Sequence, residues 1–229
     1  RRQMHIEPGV VHGAKMALAY GTAAAAAGWS AKLTWEDLKT HSVPSFLLRA
    51  AIATVGVFVF FELFPHVAVG ISEVHFILGT TLLLILGGGP AAVGLAGGLL
   101  IQGAFFAPGD LPMFLVNVST LLFPLFAIHA LARQIVPADT AYVDLGYTDV
   151  LKLSLAYQGG IVAWVAFWAL YGQGAGAETL AAIASFGAAY MLVVIVEPVA
   201  DLAVLAGAKA MRGLRGSGLV VHRLHHPAT

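Results

Sequence analysis

Residues 46–64 read FLLRAAIATVGVFVFFELF, a run in which only Arg49 and Glu62 carry charge. A helix needs about 20 mostly apolar residues to cross the hydrocarbon core of a bilayer, and this stretch meets that requirement. It is one of several. Apolar stretches at 13–30, 91–106, 112–132, 150–171 and 180–208 also read as spans, and a shorter one at 76–86 ends in GGGP at 87–90, a strong turn signal. The short third piece cannot cross alone and is expected to be tilted or re-entrant. The expectation is an all-α polytopic membrane helix bundle with seven spans, forming a single transmembrane domain over 1–229.

Composition closes off the alternatives. The chain is 59% hydrophobic and 10% charged, with a mean hydropathy of +0.85. Soluble domains carry about 25% charged residues, so this chain lacks the polar surface of a soluble enzyme. Twelve basic and twelve acidic residues cancel, leaving no positive field to recruit nucleic acid. The absence of Cys excludes disulfides, thiolate metal sites and Fe–S clusters. Gly-x4-Gly-Lys-Ser/Thr, His-Glu-x-x-His and Gly-x-Ser-x-Gly are all missing, so neither an ATPase nor a hydrolase is expected.

The positive-inside rule orients the bundle. With the N-terminus outside, the inner connections and adjoining helix ends hold Lys32, Lys39, Arg49, Arg133, Lys152, Lys209, Arg212, Arg215 and Arg223, against Arg1, Arg2 and Lys15 outside. This predicts N-outside and C-inside, with 209–229 a basic cytoplasmic tail and the protein integral to a membrane, expected to be the bacterial inner membrane. The N-terminal stretch has no apolar core before a small-residue cleavage site and does not read as a signal peptide. Residues 33–41, LTWEDLKTH, suit a short amphipathic helix on the inner surface or a plain loop. A small-residue stripe, Ala19, Ala23 and Ala27, suits either packing within the bundle or docking to another subunit.

Nine histidines divide by place. His41 is in an inner loop, His222, His225 and His226 are in the tail, and His129 lies late in the fifth span, where a packing hydrogen bond accounts for it. His5, His12, His66 and His75 gather near the outer side, together with Glu62, Glu73, Asp110 and Glu178. Imidazole suits Ni, Co, Cu and Zn, so without Cys the strong transition-metal site open to this chain is a nitrogen/oxygen one. Four ordinary interfacial histidines are the alternative. In the seventh span Glu197 is an intramembrane carboxylate, costly by roughly 2.5–3.5 kcal/mol on insertion scales and expected to face the bundle interior. Tyr190 or a basic residue of another subunit would satisfy it; Asp201, nearer the inner end, is expected to reach water.

Met4-His5-Ile6 with Gly9 resembles the Met-His-Ile-Pro-Asp-Gly start of the cobalt and nickel substrate-binding subunits of energy-coupling-factor transporters. VGISEVHFILG at 69–79 is similar to that family's Gly-rich loop leading into His-Leu-Leu-Gly, and LIQGAFF at 100–106, Gly109-Asp110-Leu111 and Asn117 follow its later pattern in order. Glu197 stands where the family has a Glu in its last helix. The resemblance implies that residues 1–12 form a metal-binding segment folded back between the helices. It also implies a nearly square-planar site of four nitrogens: the Met4 amine, the His5 amide and imidazole, and the His75 imidazole. Such geometry selects Ni(II) and tolerates Co(II). Gln102 and Asn117 would steer the segment. Two departures qualify this. Arg1-Arg2-Gln3 precede Met4, so the amine ligand requires a chain beginning at Met4, and Tyr190 replaces a family His. Glu7, His12, His66 and Glu73 are further candidate ligands.

The implied function is capture of Ni2+ or Co2+ near the outer side and inward passage in an ATP-driven complex with a transmembrane coupling subunit and two ATPases. No organic cofactor is expected. The alternative is a non-transporting accessory subunit of a larger membrane complex built on the same fold, towards which Arg1-Arg2-Gln3 and Tyr190 lean.

Overall fold

A computed structural model describes residues 6, 8–63, 67–70 and 72–211. Seven α-helices follow one another: α1 Met16–Thr40, α2 Val43–Glu62, α3 Gly79–Leu86, α4 Gly88–Phe105, α5 Phe114–Ile135, α6 Tyr147–Gln173 and α7 Ala177–Ala210. Five segments are long and apolar enough to cross a membrane: α2, α4, α5 with the 3-10 turn before it, α6 and α7. At eight residues, α3 is too short to do so, and α1, expected to span from its apolar stretch at 13–30, is not among the five. An antiparallel hairpin, β1 Val67–Val69 and β2 Ser72–Val74, interrupts the helical pattern between α2 and α3.

The structure corrects the reading of 33–41. Those residues are neither a separate helix nor a loop, because α1 continues to Thr40. Nothing after Gly28 breaks the helix, and Lys32 pairs with Glu36 one turn on at 3.9 Å. The helix stops where Ser42 caps α2, its hydroxyl accepting the Ser45 amide at 3.4 Å with Pro44 in the first turn. The buried stripe of α1 is Ala19, Ala26 and Leu33, whereas Ala27 is exposed. Packing thus follows a seven-residue repeat rather than the expected i, i+4, i+8 stripe.

Small residues set the closest helix contact. A Cβ on Gly94 of α4 would lie 2.2 Å from the Ala53 Cβ of α2, so glycine lets these two backbones approach. At the α3–α4 junction the chain turns sharply through Gly87, φ +94°. Beside it Arg49 forks onto Asp37, Nη1–Oδ1 2.9 Å and Nη2–Oδ2 2.6 Å, and donates to the Leu86 carbonyl at 2.6 Å. One buried ion pair therefore ties α1, α2 and α3 together.

The connections sort to two ends. One end holds the α1–α2 turn, the α3–α4 junction and the 3-10 turn Tyr142–Asp144 before α6, where Lys209 near the end of α7 donates to the Leu145 carbonyl at 2.9 Å. The other end holds the N-terminal segment, the hairpin and the α6–α7 turn. There Val10 and Val11 are buried, and the Lys15 ammonium donates to the Gly172 carbonyl at 2.8 Å.

Candidate metal-binding pocket

Ile6 is 1% exposed although it lies close to the chain start. Its amide donates to Asn117 Oδ1 on α5 at 3.0 Å. The N-terminal segment therefore enters the bundle as an inserted strap, and α6 leaves room for it. A Cβ on Gly172 would lie 1.9 Å from the Val10 carbonyl oxygen, so only glycine admits the strap there.

Below the strap lies a small cavity of about 20 Å3, lined by Ile6, Glu73, His75, Asn117, Thr120 and Tyr190, among others. It has room for one water-sized or ion-sized occupant. Glu73 comes from β2, and His75 follows that strand directly, so the hairpin sets both side chains against the cavity. Both are buried at 6% exposure. The His75 ring meets Phe61 of α2 edge-on, centroids 4.5 Å apart, and its Nδ1 lies 3.4 Å from the Phe76 carbonyl. An imidazole, a carboxylate and a carboxamide around one ion-sized space form a nitrogen/oxygen donor set of the kind that borderline divalent metals favour.

Other sequence candidates fall in different places. Gln102 is buried on α4, where its Nε2 donates to the Phe61 carbonyl at 3.4 Å, and with Asp110 and Asn117 it lines a second, smaller cavity beside the first. His12 is exposed, its Nδ1 3.1 Å from the Gly9 carbonyl, and does not line the pocket. Met4, His5, Glu7 and His66 lie outside the described residues. Among the described residues no three His, Cys, Asp or Glu side chains converge on one point.

Glu197 is fully buried and faces the bundle interior. One carboxylate oxygen accepts the backbone amides of Ile77 and Leu78, the latter at 3.1 Å, and the other accepts the Gln158 side-chain amide. Gln158 Oε1 in turn accepts the Tyr190 hydroxyl proton at 2.8 Å. Tyr190 thus reaches Glu197 through Gln158, not directly. Gln158 is a residue the sequence reading overlooked; the available signal was a carboxamide inside an apolar run, one turn from Ser154. The relay positions the peptide just beyond His75, and Tyr190 lines the pocket. Asp201 does not reach water: it is 1% exposed and accepts the Thr81 hydroxyl proton at 2.5 Å.

No curated protein and no solved structure matches the chain. The family model for the cobalt uptake substrate-specific transmembrane region, CbiM, matches residues 5–213. Members of that family are non-catalytic subunits of metal transport embedded in the membrane. The match takes in all seven helices, the hairpin and the pocket, and the chain belongs to the family of cobalt uptake substrate-specific transmembrane regions.

Proposed function

We propose that this chain captures Ni2+ or Co2+ in the pocket beneath its N-terminal strap. It then passes the ion inward in an ATP-driven complex with a transmembrane coupling subunit and two ATPases. The ligands in this reading are the Met4 amine, in a chain that begins there, the amide and imidazole of His5, and the His75 imidazole. Asn117 and Gln102 hold the strap in place. Glu73 charge-balances the ion in this reading, and Glu7, His12 and His66 remain further candidate ligands. The strap end faces outward and the basic tail faces the cytoplasm.

The observation that carries this reading is the buried Ile6 amide on Asn117, at the rim of a cavity shared with His75. Residue 6 follows His5 directly, so the strap's entry point and the His75 imidazole just after β2 belong to one space. Four-nitrogen tetragonal donors favour Ni(II) and accept Co(II). The chain carries no phosphate-binding loop, so energy for uptake comes from its partners.

The test is equilibrium metal binding to the purified chain beginning at Met4, with Ni2+ and Co2+ as probes. His75→Ala and His5→Ala are expected to abolish high-affinity binding, while His226→Ala leaves it intact. Equal effects at all three positions, or none, would refute the site. Co-purification with a large enzyme complex, without metal, would favour the accessory-subunit reading instead.

A further inference from the structure

Strand periodicity places a carboxylate and an imidazole on one face of the cavity beneath the strap. Successive side chains of an extended chain point to opposite faces, and two residues along it span about 6.5–7 Å. Glu73, His75 and Ile77 line the cavity, while Val74 and Phe76 between them do not, so the alternation runs on past β2. Ser72, where the hairpin turns, lines it as well. This face is held at both ends. Glu73 stands opposite Ala68 in the β1–β2 register, and Glu197 of α7 accepts the Ile77 amide. Two donors at that spacing reach a single ion through bonds of about 2 Å.

The other side-chain oxygens around the cavity serve the helices. Asn117 Oδ1 accepts the Ile6 amide at 3.0 Å, the Thr120 hydroxyl donates to the Val116 carbonyl at 3.0 Å, and the Tyr190 hydroxyl donates to Gln158 Oε1 at 2.8 Å. All three groups are neutral. Glu73 is the one carboxylate among the described residues lining the cavity, and a carboxylate is the strongest oxygen donor a side chain offers a divalent ion. His75 is set for the same task. A proton on its Nδ1, 3.4 Å from the Phe76 carbonyl, makes Nε2 the donor nitrogen.

We infer that Glu73 is the oxygen ligand of this pocket, a fifth donor beside the four nitrogens, and that it turns selection from Ni2+ towards Co2+. This rests on the function proposed above and names the ion that the site prefers. The nitrogen set contains no carboxylate and carries a single negative charge, on the His5 amide. A divalent ion within it therefore keeps an excess positive charge, which Glu73 cancels inside the bundle, where charge is costly. The two ions also use a fifth donor differently. A square of nitrogens satisfies Ni2+, which gains little from a further ligand, whereas Co2+ takes one readily. Glu73 thus stabilises bound Co2+ more than bound Ni2+.

The test combines equilibrium binding of Co2+ and Ni2+ to the purified chain beginning at Met4 with X-ray absorption at the metal edge, which reports the donors. The unaltered chain is expected to hold Co2+ by a nitrogen set plus one oxygen. Glu73→Gln is expected to cut Co2+ affinity about tenfold or more and Ni2+ affinity by less than about threefold. In Glu73→Ala the oxygen donor is expected to vanish from the Co2+ spectrum. A square-planar, all-nitrogen Co2+ site in the unaltered chain overturns the inference without any variant. An oxygen donor that persists in Glu73→Ala marks a water and also overturns it. So do equal effects of Glu73→Gln on the two metals, or none. If the unaltered chain binds neither metal, the parent function is refuted, and the role of Glu73 falls with it.

Discussion

The Glu197 carboxylate accepts the Leu78 amide proton at 3.1 Å, so α7 holds the peptide three residues beyond His75. Leu78 is the one non-glycine residue with positive φ among those described, at +53°. A left-handed conformation costs such a residue roughly 1–2 kcal/mol, and the Glu197 hydrogen bonds hold it there. Glu197→Gln should therefore do more than remove a charge. It sets two side-chain amides, at 197 and 158, against each other, forcing Gln158 to turn and leaving Tyr190 without its acceptor. The expected loss is about 1–3 kcal/mol of stability, read by thermal unfolding in detergent, with weaker metal binding. A variant as stable as the parent would show that the relay contributes nothing.

The strap depends on Asn117. Asn117→Ala leaves the buried Ile6 amide without an acceptor, at a cost of about 1–3 kcal/mol. Hydrogen exchange at residues 6–11 should rise while the helices remain protected, and metal affinity should drop by roughly tenfold or more. Unchanged exchange in the strap would contradict this role.

Gly172→Ala probes the same docking from the other side. The new methyl group would meet the Val10 carbonyl, a backbone atom that cannot rotate away. The strap must move, whereas α6 gains a better helix former worth about 0.5–1 kcal/mol. Helix content and thermal midpoint should hold while metal affinity falls. Intact affinity would show that the strap adjusts freely.

At the opposite end, Arg49 and Asp37 form a buried forked pair whose side chains are 7% and 10% exposed. Arg49→Ala leaves Asp37 without its guanidinium and the Leu86 carbonyl without a donor. Breaking such a pair costs about 3–5 kcal/mol, and Arg49→Lys should recover only part of that because the ammonium lacks the fork. Thermal unfolding checks the order: parent, then Lys, then Ala.

Particular residues show why some of this was legible in the chain. Residues 76–86 are too few to span, and the structure has an eight-residue α3 there. Glu197 was recognisable as a group needing interior partners, since lipid offers none. Residues 33–41 misled because their charges suit a surface helix and a helix end alike. Gln158 escaped notice because one carboxamide in an apolar run has no periodic signature, and its meaning appears only when α7 brings Glu197 beside it. Asp201 was read as reaching water because depth in a helix is legible from sequence, but the cover supplied by Tyr142 from a distant turn is not.

Apolar run length, turn residues and the near absence of charge by themselves determined that this chain is a membrane bundle of seven helical segments, because lipid satisfies a backbone only within helices or closed barrels. Tertiary packing alone decided that the Ile6 amide is the group Asn117 accepts and that Gln158 meets Glu197 across 39 positions. Such contacts depend on how each helix is rotated about its axis and on which small residues let it approach its neighbour, and periodicity within a single span does not encode either.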